Sequence, residues 1–257
     1  MNESVKHLSD IALASFNRDG YLIVPALLAD SVCERMSKVA REHLSATLAP
    51  VEFETDIQYP GAPEDRDSAG GDTVRRLLNA CSRDSIFRSW ATSADLRHTL
   101  AQLFGDDAIV LSQSHHNCVM TKVPGHSSAT LWHQDNRYWS FDKENLISVW
   151  LALGAENHAN GCLYVIPGSH ELDIAPGRFD ASLFLRPDLP ENRRLIASAR
   201  AVELARGDVL FFHSRLFHAA GRNTTSETKF SLVLTYHEAS NYPISGTRSA
   251  RYPGINL

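Results

Sequence analysis

No apolar run in these 257 residues approaches the roughly 20 that a membrane-spanning helix needs. Basic charge is not in excess: 25 Lys and Arg stand against 30 Asp and Glu, a formal net charge of −5. Nucleic acid and anionic membrane surfaces both require concentrated positive charge, so neither is an expected partner. Cysteine is scarce. Cys33, Cys81, Cys118 and Cys162 are scattered without a CxxC pair, which argues against a zinc site or a disulfide framework and suits a reducing, cytoplasmic setting. Met1 to Lys6 carries no basic segment leading into an apolar one, so no signal peptide is read there. Internal repeats and low-complexity tracts are also missing. What is present is an ordinary globular composition, 43% hydrophobic and 21% charged, long enough to bury a core without metal or disulfide staples.

The pattern along the chain changes near residue 108. Before it, Leu8 to Asn17 has helical spacing, Asp19-Gly20 signals a turn, and Tyr21 to Val24 is a compact β-prone run. Asp30 or Ser31 is expected to cap a helix bearing Val32, Met36, Val39 and Leu44. Residues 54–73 read as a long surface loop and a candidate lid, and Val74 to about Leu103 as broken helix. After 108, short β-prone runs recur: 108–112, 117–122, 131–135, 146–153, 162–166, 201–204, 209–212 and 230–236, with a polar insertion at 171–200. The expectation is a single domain over 1–257, mainly β with flanking N-terminal helices: a helical flank and lid over 1–107, and a β-sandwich or jelly-roll core over 108–240.

Two segments carry chemistry. In the run Leu131-Trp132-His133-Gln134-Asp135, a strand would place His133 and Asp135 on one face. The later run Gly207 to His218 offers a second imidazole, from His213 or His218. Two histidines and a carboxylate on a β-scaffold form the facial triad that suits non-haem Fe(II), leaving coordination positions open. An isolated HxD arises often by chance and a lone buried His is usually a core residue, so the triad rests on the combination. Zinc in the same ligands would make a metal-dependent hydrolase on a cupin-like barrel, although no HExxH helix supports it. A non-catalytic metal-binding protein is the third reading.

The stretches WHQDNRYW (Trp132 to Trp139), Val149-Trp150, NGCL (Asn160 to Leu163), VIPGSH (Val165 to His170) and GDVLFFHSRLFHAAGRN (Gly207 to Asn223) occur in an order that resembles the phytanoyl-CoA dioxygenase family. The resemblance runs from the Gly20-Tyr21 strand to about Tyr236. It implies a double-stranded β-helix, a cupin-like jelly roll, and a dioxygenase that uses Fe(II), 2-oxoglutarate and O2 to hydroxylate an unactivated C–H bond of a small-molecule metabolite, releasing succinate and CO2. It also implies the ligands. The distal His precedes a small-small-Gly-x-Asn turn, which matches His218 to Asn223, so His133, Asp135 and His218 are the implied iron ligands and His213 a packing neighbour. Halogenating relatives replace the carboxylate by a small residue, so an intact Asp135 implies hydroxylation.

For 2-oxoglutarate, the family usually places an Arg eleven residues after the distal His to pair the distal carboxylate. This chain has Lys229 there, a point charge without the bidentate fork. Lys229 is the expected partner, aimed into the barrel, with Arg222 and Arg215 as rivals. Trp150 matches a family tryptophan beside the cosubstrate. His116 or Asn117 is placed near the cavity, Arg137, Tyr138 and Trp139 are candidate substrate contacts, and Asn160-Gly161 and Pro167 to His170 are structural turns.

Overall fold

The computed structural model describes residues 7–257; Met1 to Lys6, where the missing leader was read, lie outside the described residues. Helix α1 (Asp10–Asp19) starts where the Ser9 hydroxyl accepts the Ala12 N–H at 3.2 Å. It stops at Gly20, whose φ of 77° is the left-handed value that ends helices. A side chain at Gly20 would also collide with the His170 ring, 2.4 Å from the position of a Cβ. Strand β1 (Tyr21–Val24) follows as expected, then helix α2 (Asp30–Ser45). Its cap position is Ala29, with no side-chain bond, and Asp30 is its first helical residue; there the carboxylate favours the helix dipole without capping it.

The next stretch departs from expectation. Strand β2 (Val51–Phe53) and strand β3 (Val74–Leu78) pair antiparallel, and β3 continues onto the main sheet, so Val74 to Leu78 is strand rather than helix. The run Val-Arg-Arg-Leu-Leu has no decisive local preference, and its pairing partners, Val51 to Phe53 on one side and Cys118 to Met120 on the other, are out of reach of a local reading. The helices begin only afterwards: α3 (Ala80–Arg83), α4 (Ser85–Ala91) and α5 (Ala94–Phe104). Then come β4 (Ile109–Lys122), β5 (Thr130–His133), β6 (Leu146–Ala152), β7 (Leu163–Val165), α6 (Pro190–Ile196), β8 (Arg200–Val202), β9 (Val209–His213), β10 (His218–Ala220), β11 (Lys229–Glu238) and β12 (Ile255–Asn256).

Two antiparallel sheets face each other. The larger has the order β1-β9-β6-β11-β4-β3-β2, with β12 also on β4, and the smaller the order β5-β10-β7-β8. This is the jelly-roll, double-stranded β-helix architecture. Alternation along the large sheet gives each strand two faces. Val149, Leu151, Leu232, Leu234 and Tyr236 pack outward against Met36, Phe87, Trp90 and Leu100 of the helices. Trp150, Phe212 and Val233 point the other way and join Leu163 and Val165 of the small sheet between the two sheets. The helices therefore cover the back of the large sheet, and every alternate residue of β6 and β11 is delivered to the interior. Ser148, Trp150, Lys229 and Ser231 share that inward parity.

Two irregularities matter. Opposite β11, the register steps from Leu234↔Asn117 to Thr235↔Ser112, so residues 113–116 of β4 bulge out of the ladder. Bulges near active sites re-aim side chains, and this one carries His115 and His116. Secondly, His213 and His218 do not share a strand: β9 lies in the large sheet and β10 in the small one, joined by the turn across 214–217. All four cysteines are buried and free. Among the described residues no helix is long and apolar enough to cross a membrane.

Candidate metal centre

His133 ends β5 and His218 begins β10, and the two are direct partners in the antiparallel ladder. Their rings lie side by side, with centroids 4.2 Å apart. The strand ends at His133 and Asp135 opens a 3-10 turn, but the intervening Gln134 stays extended, with φ −119° and ψ 134°. His133 and Asp135 consequently fall on one side, as strand parity requires. Asp135 Oδ1 lies 3.8 Å from His133 Nε2 and 3.7 Å from His218 Nε2. Two donors bonded to one dication at about 2.1 Å each stand at most about 4.2 Å apart, so Asp135 Oδ1 is placed to share an ion with either imidazole. Among the described residues this trio is the group of His, Cys, Asp and Glu whose donor atoms converge, all within 4.8 Å of one another. His213 is elsewhere, its Nδ1 accepting the Arg215 N–H and its ring against His170.

The surrounding groups fit the trio to a cation. His133 Nδ1 lies 2.8 Å from the Leu131 carbonyl and His218 Nδ1 lies 3.0 Å from the Leu216 carbonyl. A carbonyl only accepts, so each Nδ1 carries the proton and each Nε2 presents a bare lone pair. Burial, aided by the neighbouring His218, pulls His133 down to about 3 and keeps it neutral. Burial alone would push Asp135 up, yet the charges of His116 and His218 and the hydrogen bond from His116 hold its carboxyl well below the ordinary range. Asp135 is thus a buried carboxylate that stays ionised beside the neutral imidazole of His133. Its second oxygen accepts the Ser148 hydroxyl at 2.9 Å, and His116 Nε2 approaches Oδ1 at 3.2 Å. Burial opposes the charged form of His116, but the Asp135 charge outweighs it and raises the ring to about 9.

A cavity opens beside His133 and His218 toward the floor of the barrel. Its wall includes Trp150, Lys229, Lys122, Arg75, Thr130 and Phe212. Trp150 and Lys229 therefore stand where expected, but Lys229 is not free. Its ammonium donates to Glu156 Oε2 at 2.7 Å, with both side chains almost fully buried. Arg222 and Arg215 are absent from that wall. Arg222 is exposed and donates to the carbonyls of Ser127 and Gly125, while Arg215 pairs with Asp173 and Glu144. The other side of Asp135 opens onto a second cavity lined by His116, Tyr138, Trp139, Tyr59, Arg76 and Arg248. His116 thus lies at the centre, whereas Asn117 is turned to the Cys81 N–H. Arg137 stacks on Phe179 and lines neither cavity.

The 54–73 segment bears directly on the site: Tyr59 lines both cavities, and the Arg75 guanidinium lies 4.8 Å from its ring. From the 171–200 insertion, Phe184 packs edge-on against His133 at 5.8 Å and against Tyr59 at 5.3 Å. Glu156, Lys122, Arg75 and Ser148 escaped the sequence reading. Only Ser148 had a signal, its parity with Trp150 on an apolar run; the others arrive from loops and strands distant in the chain.

A profile of the phytanoyl-CoA dioxygenase family matches residues 16–231. The chain belongs to the phytanoyl-CoA dioxygenase family. The chain spans only about half to two thirds of the length of several curated members it matches, and membership favours the dioxygenase reading over the hydrolase and the bare metal-binding readings. The peroxisomal phytanoyl-CoA dioxygenase of Mus musculus is 31% identical over 90% of this chain and 70% of its own length. The phytanoyl-CoA dioxygenase 1 of Oryza sativa is 25% identical over 59% of this chain, and the match spans 52% of that relative. The family member shares its fold with the epimerase SnoN, solved with Fe3+, alpha ketoglutarate and nogalamycin RO: 22% identity, 93% of this chain and 87% of SnoN covered, TM-score 0.71.

Proposed function

We propose that the protein hydroxylates an unactivated C–H bond of a small-molecule metabolite, with His133, Asp135 and His218 holding Fe(II) and 2-oxoglutarate occupying the inner cavity beside Trp150 and Lys229. The reading rests on one observation above all: an ionised carboxylate and two bare imidazole nitrogens meet at a buried point flanked by two cavities. Bound iron would supply oxygen activation coupled to oxidative decarboxylation of the cosubstrate. The chain's own residues do the rest. Leu131 and Leu216 carbonyls fix the imidazole tautomers, and Ser148 fixes the rotation of the Asp135 carboxylate. Tyr59 and Phe184 cover the metal side of the barrel and limit solvent.

The outer cavity is the substrate's side in this reading. Trp139 stacks on His115 at 4.8 Å and forms one wall, Tyr138 another, and Arg76 and Arg248 supply cationic groups. That lining suits a free metabolite in specialised metabolism, and the buried free thiols accord with a cytoplasmic setting. Because Asp135 fills the position a halide would need, the product carries a hydroxyl group. The test is a metabolite screen for succinate release with Fe(II), ascorbate and 2-oxoglutarate, followed by mass analysis of the product in chloride buffer. A dioxygen-dependent mass gain of one oxygen is expected; a chlorinated main product, or no succinate with any substrate class, would overturn the reading.

A further inference from the structure

Behind Trp150 and Lys229, two residues of the inner cavity's wall, stands a buried carboxylate. Glu156 accepts Trp150 Nε1–H at 2.9 Å, the Ser231 hydroxyl at 2.6 Å and the Lys229 ammonium at 2.7 Å. Trp150 and Lys229 line the cavity and Ser231 shares the inward parity of Lys229 on β11, and the protein's own acid accepts from all three. The charge of Lys229 is matched there. An arriving carboxylate at the same spot would meet Glu156 as a like charge in a buried setting, where repulsion is weakly screened.

The other cations of the wall differ in how far they are already balanced. Arg75 donates to Glu54 Oε2 at 3.4 Å and stands 3.7 Å from Glu52, and Arg76 stands 3.4 Å from that same Glu52. Lys122 is the exception: among the described residues no carboxylate lies within ion-pair distance of it. Its ammonium donates to the Gly221 carbonyl at 2.6 Å and the Ser128 carbonyl at 3.0 Å, which leaves one of three N–H donors unused. The side chain is 8% exposed and lines the cavity. A buried cation without a counter-charge is costly to keep, and an anion in the cavity removes that cost. The same burial, with the nearby charge of Lys229, brings Lys122 down to about 7.

Topology places Lys122 within reach of the metal trio. It pairs with Lys229 across the β4–β11 ladder, and its carbonyl partner Gly221 directly follows β10, the strand that begins with His218. We propose that Lys122, and not Lys229, receives the distal carboxylate of 2-oxoglutarate, and that the Glu156–Lys229 pair is a neutral floor supporting Trp150. This rests on the reading that the trio holds the metal and the inner cavity holds the cosubstrate.

The test is calorimetric titration of Mn(II)-loaded protein with 2-oxoglutarate and with 2-oxobutyrate, which keeps the chelating end and lacks the distal carboxylate. Lys122→Gln retains N–H donors for the two carbonyls and removes the charge. It should weaken 2-oxoglutarate about ten- to hundredfold while 2-oxobutyrate changes less than about twofold. The double variant Lys229→Met with Glu156→Gln, which removes both charges of the pair together, should keep most of the preference for 2-oxoglutarate. Lys122→Met serves the same purpose if Lys122→Gln does not fold. The proposal is overturned if the Lys122 variants keep the full preference while the double variant loses it, or if they lose both ligands equally, which is a structural role. Failure of wild-type protein to bind either 2-oxo acid would instead overturn the underlying assignment of the cavity.

Discussion

Replacing Ser148 by Ala tests how the carboxylate is aimed. Ser148 is fully buried on β6, and its hydroxyl donates to Asp135 Oδ2 at 2.9 Å while Oδ1 faces His133 and His218. Alanine removes one oxygen and adds nothing, so no clash follows. It releases the carboxylate to turn toward His116, which already stands 3.2 Å from Oδ1. A hydrogen bond to a charged acceptor contributes about 1.5–3 kcal/mol, and each 1.4 kcal/mol is about tenfold in affinity. If that energy serves to aim Oδ1, metal affinity should fall by about one to two decades, the range found when groups supporting metal ligands are removed. The assay is free Mn(II) by electron paramagnetic resonance in titrations of Ser148→Ala and wild type, with circular dichroism to show that the fold is retained. Metal affinity within twofold of wild type in a folded variant would refute the reasoning, because the carboxylate would then be held without Ser148.

Further outcomes follow from the same geometry. His133→Ala, Asp135→Ala and His218→Ala should each lose Mn(II) binding and turnover, whereas His213→Ala should keep both; the reverse result for His213 and His218 would move the distal ligand. Lys229→Ala leaves Glu156 buried without its counter-charge and should cost about 3–5 kcal/mol in urea unfolding, much of it recovered by adding Glu156→Gln; an unchanged midpoint would show that the pair is not buried as described. Burial, with His170 and Arg215 nearby, lowers His213 to about 4, below the ordinary value near 6.5 of an unfolded chain. The unfolded chain therefore takes up a proton there between about pH 6.5 and 4 while the folded protein does not, and stability present above 6.5 is lost as pH falls. The drop in urea midpoint from pH 7 to pH 5 should be smaller in His213→Gln than in wild type, and an equal drop in both would sink this assignment.

Much of the molecule is set by local sequence. The Ser9 cap, the left-handed Gly20 and the compact Tyr21 to Val24 run fix the first helix and strand from residues within a few positions of one another. Extended backbone through Gln134 obliges His133 and Asp135 to share a side wherever the strand lies, so two of the three candidate metal donors are legible in five residues. The motif order carried the family and, through the His218 to Asn223 turn, the third donor. Tertiary structure decided the rest. Val74 to Leu78 is strand because β4 offers an edge to it, and the β4 bulge that brings His116 to Asp135 exists only relative to β11. Above all, Lys229 reads in the sequence as an available cation, and folding brings Glu156 from 73 positions away to within 2.7 Å of it. Among the described residues Lys122 is left without an acid of its own for the same reason. Local patterns dictate backbone geometry and side-chain parity, but which buried charges neutralise one another depends on how loops from separate strands meet, and that is set only when the two sheets close.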